Sequence, residues 1–363
     1  MQFSPQASID HAALRHNLAR VRELAPLSRV WAVIKANAYG HGIGRVARGL
    51  AGADGFAVAR IEEALRLREL GCQKPLLILE GVYNPMDARA AIQADCQLVV
   101  HHPYQIDLLA GLDLPDRVAV WLKVDTGMHR LGIRVAQVVE LSRRLRACRV
   151  VSELNLMTHL ANADDRQDPT TRRQTSVYDS LPLNEFEQHS VANSAGLIAY
   201  PETRRDWVRP GIMLYGVSPF ADSYGSEEGL LPVMTFKARV IALNHCRAGD
   251  RIGYGGTYRC PIDMPVAVLG VGYGDGYPRH AGSGTPVLIR GLRLPLAGRV
   301  SMDMLTVDAR QLPDLQIGEE AILWGRGLPV EEIARAAGTI GYELLCGITG
   351  RVVFADHNLT EEV

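Results

Sequence analysis

The sequence predicts an α/β chain in two parts: a parallel (β/α)8 barrel over residues 1–228 and a mainly antiparallel β domain over residues 229–363. Three observations carry this. Up to about residue 220, short apolar runs alternate with longer stretches of helical periodicity, the pattern of strand–helix–strand units on a parallel sheet. Beyond about residue 230 that periodicity fades, and short strand-like runs recur between turn signals rich in Gly and Pro, as in a compact β domain. Between the two lies YGSEEG (224–229), a polar stretch that reads as a join.

Taken in order, residues 7–9 suit an outlying strand that pairs with the second domain, and residues 11–24 a first helix. Strand candidates follow at 30–34, 55–58, 76–79, 97–100, 118–124, 154–158, 189–192 and 212–215. They are the eight strands that a barrel of this kind needs. Helical spacing falls between them at 61–70, 85–93, 136–147 and 169–180. In the first of these, Glu62 stands four residues before Arg66, a spacing that supports a helix. In the second part the strand candidates are 236–243, 266–271, 286–289, 305–307 and 321–324, with one helix at 330–337.

Composition narrows the function. Of 363 residues, 39 are basic and 40 acidic. The net charge of −1 offers no long-range field to nucleic acid or an anionic membrane. Residues 1–10 lack the apolar core of a signal peptide, and the longest apolar run, 265–271, is far short of the ~18 residues of a membrane span. Six cysteines are scattered with no CxxC pair, so reduced thiols in the cytoplasm are expected, with neither a disulfide framework nor a metal site.

In a barrel of this kind the reactive groups stand at the C-terminal ends of strands. Lys35 directly follows the first strand in VIKANAYGHG (33–42). Burial there lowers a lysine's pKa and favours the free amine, the form that attacks a carbonyl carbon. A rim lysine snorkelling to solvent fits the same spacing, so position alone leaves Lys35 open. His159 ends the sixth strand candidate in MTHL and should point into the barrel mouth, although a core histidine fits as well. Arg209 lies just before the 212–215 run, where a pair with Asp206 would also account for it. Tyr254 is flanked by glycines in GYGGTY (253–258), where a turn aromatic is the plainer reading. Asn193, Ser194 and the backbone N–H groups of Gly211 and Ile212 fall in loops that build phosphate sites in barrels, with no side chain on Gly211 to block its amide.

VIKANAYGHG resembles the cofactor-lysine signature of bacterial alanine racemases. KVDTGMHRLG (123–132), MTHLANAD (157–164), WVRPGIMLYG (207–216), GYGGTY (253–258), GYGDGYPR (272–279), GRVSMDM (298–304) and YELL (342–345) each resemble a motif of that family, in the family's order. The resemblance therefore covers both parts and nearly the whole length. It implies an isomerase that racemises L- and D-alanine with pyridoxal 5'-phosphate (PLP) on Lys35, for D-alanine supply to peptidoglycan or for alanine catabolism. Arg209 would face the pyridine nitrogen of PLP. An arginine stays protonated and only donates, so the ring is a weaker electron sink, which suits racemisation over transamination. Racemisation needs a base on each face of the α-carbon. Lys35 would serve one and Tyr254 the other, with His159 and Arg279 linking Tyr254 to Arg209 and the ring. Lys35 and Tyr254 fall in different parts of the chain, and the family answers this with a head-to-tail homodimer sharing its active sites.

The resemblance further makes Tyr39 and Tyr342 hydroxyl donors to the cofactor phosphate. Arg130 would contact the cofactor's phenolic oxygen and the substrate carboxylate, beside Lys123, which the family carbamylates. Met302 would offer its backbone N–H to that carboxylate, and Tyr273 would line the access channel. Ser301 stands where a cysteine is common, and Val352, Val353 and Phe354 follow Arg351 where other members are often more polar.

Three other readings compete. A PLP decarboxylase of basic amino acids would want an acidic residue where Arg209 stands. A single-barrel PLP carrier would lack the second half of the chain. A racemase of serine or another small amino acid would differ only in side-chain room, which Tyr254 and Tyr342 are expected to restrict.

Overall fold

The computed structural model describes residues 3–358. It divides into two compact units. One comprises Arg15–Leu214 and Pro219–Asp222; the other comprises the described part of Met1–Leu14, Tyr215–Ser218 and the described part of Ser223–Val363.

The first unit is a closed eight-stranded parallel barrel. Its strands are Arg29–Val33, Gly55–Val58, Leu76–Ile78, Cys96–Val100, Val118–Asp125, Val151–Met157, His189–Ser190 and Trp207–Val208. Each pairs in parallel with the next, and Trp207–Val208 closes the ring by pairing with Arg29–Val33. Aromatic side chains help fill the core. Trp31 stacks on Trp207 with ring centroids 4.2 Å apart and meets Trp121 edge-on at 6.5 Å. Gly55 makes room for that layer: a Cβ there would lie 2.3 Å from the Trp31 ring. The surrounding helices bury one stripe each. In Val138–Ala147 the buried residues are Val138, Leu141, Ser142 and Leu145, the i, i+3, i+4, i+7 spacing of a helix on a core.

One expectation needs correction. The eighth strand is Trp207–Val208, and residues 212–215 form a buried 3-10 turn, Ile212–Tyr215. Pro210 has no N–H to give a ladder, and the Gly211 amide goes to the Ser194 hydroxyl instead. A four-residue apolar run that is wholly buried carries no periodicity to separate strand from helical turn. Arg209 therefore follows the last strand, at its C-terminal end, where the sequence reading put it before the strand.

The second unit is built on the 13-residue strand Met234–Cys246. Met234, Phe236, Ala238 and Val240 are buried and alternate with half-buried Thr235, Lys237 and Arg239, the two-residue period of a strand on a core. It pairs antiparallel with Glu320–Trp324, Met264–Leu269 and Gln6–Asp10. Gln6–Asp10 in turn pairs in parallel with Val353–His357. The strand expected near residues 7–9 is thus present and paired within this unit. Leu292–Pro295 and Val353–His357 are strands, and Gly341–Cys346 a helix, that the sequence reading does not contain. Among the described residues no helix is long and apolar enough to cross a membrane.

Candidate active site

Lys35 leaves the first barrel strand and opens a turn of unusual hand. Ala36, Asn37, Ala38 and Tyr39 have φ of 53°, 52°, 56° and 50°, so the chain makes a left-handed helical turn. Each non-glycine residue in that conformation costs about 1–2 kcal/mol, so the surroundings must impose it. Glu63 does so from the next βα unit. One carboxylate oxygen accepts the Ala36 N–H at 2.6 Å, and the other accepts the Ala59 N–H at 2.8 Å. The Asn37 side chain accepts the Ile43 N–H at 2.9 Å. His41 is fully buried, with Nδ1 2.8 Å from the Tyr39 carbonyl. Burial brings its pKa down to about 4, so the ring is neutral and Nδ1–H donates to that carbonyl. The turn leaves Lys35 half-buried and Tyr39 buried.

Arg209, 4% exposed, stands at the end of the eighth strand. It donates to the Ser190 hydroxyl, to the Thr158 carbonyl at 2.5 Å and to the Val191 carbonyl at 3.1 Å. These are neutral oxygens; Asp206 instead accepts the His189 N–H at 2.7 Å. Burial lowers the Arg209 pKa to about 10, which leaves it charged at neutral pH. Lys123 is buried at the end of the fifth strand. Burial first, and then the charges of Arg209, Arg130 and Lys35, bring its pKa down to about 7. Burial and the charges of Arg209, Lys123, Arg130 and Lys35 also hold His159 well below the usual histidine range. The barrel mouth thus gathers Lys35, Lys123, His159, Arg209 and the exposed Arg130 in one cationic field, which suits an anionic ligand.

The loop that carries Arg130 is held by Asp125. One of its carboxylate oxygens accepts the N–H groups of Gly127, Met128 and His129 at 2.9, 3.0 and 3.0 Å. Beneath it, the Thr126 and Thr158 hydroxyls lie 2.8 Å apart, and Gln174 donates to Thr126 at 3.2 Å and to the His159 carbonyl at 3.0 Å. Glu63, Asp125 and Gln174 shape this site, and the sequence reading did not assign them a part in it. Their partners lie far along the chain or in loops of no regular period, so helical or strand spacing gives no signal for them.

A second cluster lies beside the first. Ser194 Oγ accepts the Gly211 N–H at 2.9 Å. Asn193 caps the helix Ser194–Ala199 by accepting the Gly196 N–H at 2.9 Å. A Cβ on Gly211 would fall 2.5 Å from the Tyr39 hydroxyl. Tyr39, Ser194, Gly211 and the adjacent Ile212 therefore meet at one place, a cradle of hydroxyls and backbone that a side chain on Gly211 would fill.

The other candidates belong to the second unit. Tyr254 is 72% exposed on the turn Tyr254–Gly256. That turn needs glycine: Gly253, Gly255 and Gly256 have φ of 69°, 74° and 54°. Tyr273 and Met302 are brought together, since the Tyr273 N–H donates to the Ser301 carbonyl at 3.0 Å and the Gly274 N–H to the Met302 carbonyl at 2.8 Å. Arg279 is exposed, and Tyr342 is half-buried on the helix Gly341–Cys346.

A closed barrel with a lysine at the end of its first strand, a buried arginine at the end of its last and a separate β unit defines a two-unit barrel enzyme with an amine-centred, anion-seeking site. The family model for the alanine racemase N-terminal domain matches residues 9–219, and that for the alanine racemase C-terminal domain matches residues 233–355. The chain belongs to the alanine racemase family. It is 52% identical to the alanine racemase of Nitrosococcus oceani over 96% of this chain and 98% of that one. It is 49% identical to that of Vibrio cholerae over 95% and 96%. The crystal structure of the biosynthetic alanine racemase from Pseudomonas aeruginosa superposes with a TM-score of 0.94 at 44% identity, covering 98% of this chain and all of that one.

Proposed function

We propose that this chain interconverts L- and D-alanine by a two-base mechanism, with PLP as cofactor on Lys35. The observation that carries the reading is the cationic barrel mouth, with a lysine amine at the end of one strand and, at the end of the neighbouring one, a buried arginine held by neutral oxygens. The donor set fits that cofactor. Arg209 supplies a permanent N–H donor for a ring nitrogen. Tyr39, Asn193, Ser194, Gly211 and Ile212 supply a cradle for a phosphate, with Tyr342 as a further hydroxyl. Arg130 supplies a cation for a phenolate and a carboxylate. When bound, the cofactor withdraws electrons from the substrate and makes the hydrogen on its α-carbon acidic.

The protein's own groups then decide the outcome. Lys35 takes or returns a proton at one face of the α-carbon, and Tyr254 does so at the other. Arg209 cannot accept a proton at working pH, which keeps the electron sink weak and returns the proton to the same carbon. His159, held neutral, would pack against the cofactor ring and, with Arg279, would connect Tyr254 to Arg209. Arg130 and the Met302 N–H hold the substrate carboxylate, and Tyr273 lines the channel. Lys123, with a free amine near neutral pH, adds dissolved carbon dioxide and releases a proton to become a carbamate, and the resulting anion offsets Arg130 and Arg209. Tyr254 and Met302 come from the second unit of the partner in a head-to-tail homodimer. The six cysteines are free thiols, which fits a cytoplasmic enzyme supplying D-alanine for peptidoglycan or feeding alanine catabolism. Incubating the purified protein separately with L- and D-alanine should bring both to the same optical rotation. A preparation that leaves either unchanged in the presence of PLP rejects the proposal.

A further inference from the structure

Two loops of the second unit, residues 272–277 and 301–304, carry Tyr273 and Met302. Their backbones touch. A Cβ on Gly272 would lie 2.3 Å from both the Ser301 and the Met302 carbonyl oxygens. Those oxygens accept the Tyr273 and Gly274 N–H groups. In a trans peptide the C=O and the following N–H point in opposite directions. With the Ser301 and Met302 carbonyls turned toward residues 272–274, the Met302 and Asp303 N–H groups must face away from that loop. Neither N–H has an acceptor among the described residues.

Arg351 ties the arrangement together. Asp275 is 2% exposed; one of its oxygens accepts the Gly272 N–H at 2.9 Å and the other meets Arg351 Nε at 3.1 Å. Nη2 of the same guanidinium donates to Asp303 at 2.7 Å. Gly274 leaves it space, since a Cβ there would fall 2.5 Å from an Arg351 nitrogen. Two residues earlier, the Thr349 hydroxyl donates to the Gly274 carbonyl at 2.8 Å. A planar guanidinium can span two carboxylates in this way, whereas an ammonium acts as a point charge.

We propose that Arg351 is a positioning residue for the substrate carboxylate: by bridging buried Asp275 to Asp303 it fixes the 301–303 turn so that the Met302 and Asp303 N–H groups face the ligand together. This rests on the proposed racemase reading, which supplies the carboxylate, and adds Asp303 as a second backbone donor and Arg351 as the strut behind both. Without the bridge the turn keeps its two backbone contacts but loses its charged anchor, and the amides lose alignment.

The test compares Arg351→Ala, Arg351→Lys and Asp303→Asn in the intact enzyme. It measures KM and kcat for alanine in both directions, the inhibition constant of propionate, the bound PLP absorbance and the thermal midpoint. Arg351→Ala, which removes both arms of the bridge, is expected to raise KM and the propionate constant about tenfold, with kcat within about threefold. Arg351→Lys should recover part of the loss. Asp303→Asn, an exposed change that leaves Asp275 capped, should raise both constants about threefold at unchanged PLP absorbance and midpoint. If Arg351→Ala does not fold, Asp303→Asn decides. Wild-type KM and propionate inhibition in the folded variants overturn the proposal, as does a fall in kcat that only tracks the thermal midpoint. A wild-type protein that does not racemise alanine rejects the racemase reading instead.

Discussion

In the proposed mechanism Lys35 and Tyr254 serve opposite faces of one carbon, and their removal should leave different traces. Lys35→Ala should lose both the cofactor linkage and all racemisation, read as loss of the visible absorbance of the purified protein together with its activity. Tyr254→Phe should keep that absorbance. Its proton exchange with solvent should fall by about 10²–10⁴-fold, the usual weight of one general base, for one alanine enantiomer more than the other. Equal losses for both would remove Tyr254 from its role. Lys123 makes a pH-dependent prediction. Its folded pKa, about 7, lies below the reference value of 10.5, so between those values the unfolded chain binds the extra proton and stability rises with pH. Below about 7 both states are protonated and the fold carries the full cost of the buried charge. Wild type unfolded in carbonate-free buffer should gain stability as pH rises from about 7, and Lys123→Met should not. Isotope-labelled bicarbonate should add a carbamate carbon resonance and raise the midpoint of the wild type alone.

At the scale of elements, the left-handed turn after Lys35 and the Gly211 cradle are the parts under most local demand. Glu63→Gln weakens the acceptor of the Ala36 N–H and is expected to cost about 1–2 kcal/mol, seen in chemical unfolding and as faster amide exchange at Ala36. Gly211→Ala puts a methyl group on the Tyr39 hydroxyl and should weaken PLP affinity in a cofactor titration. Tyr39→Phe frees that space, so the double variant should bind better than Gly211→Ala alone, a non-additive pair in direct contact. The sequence makes the helices His11–Leu24, Pro85–Gln93 and Val330–Ala337 legible to the residue, because each presents an apolar stripe of regular period. It misplaces the eighth strand, since two residues of strand leave no alternation to read. It locates Lys35 but not the hand of the turn that follows, because Ala, Asn and Tyr give no sign of positive φ there. That conformation is imposed by Glu63 and His41. Tyr39, Ser194 and Gly211, which the motifs name for one cluster, are adjacent, while the ties of Arg351 to Asp275 and Asp303 cross 76 and 48 residues and have no local signature.

For the whole molecule, the proposed mechanism draws its two bases from separately packed units and so would make assembly part of catalysis. Specific activity should fall on dilution below the dimer dissociation constant and return on concentration, with sedimentation following the same midpoint. A monomer as active as the dimer would refute shared sites. Mixing an inactive Lys35→Ala chain with an inactive Tyr254→Phe chain should restore about a quarter of wild-type activity at equal amounts, because random pairing makes half the molecules mixed dimers, each with one intact site of two.

The pairing of Gln6–Asp10 with Met234–Cys246 and Val353–His357 has a further consequence during synthesis. Gln6–Asp10 can pair with neither of these strands until more than 220 residues later, a wait of about ten to forty seconds at ordinary elongation rates. Its second neighbour, Val353–His357, is made more than 100 residues later still. The barrel can ripen in that interval, but the β unit cannot close. A stalled or prematurely terminated chain would therefore carry an unpaired strand edge at residues 6–10, ready for a chaperone or for another nascent chain.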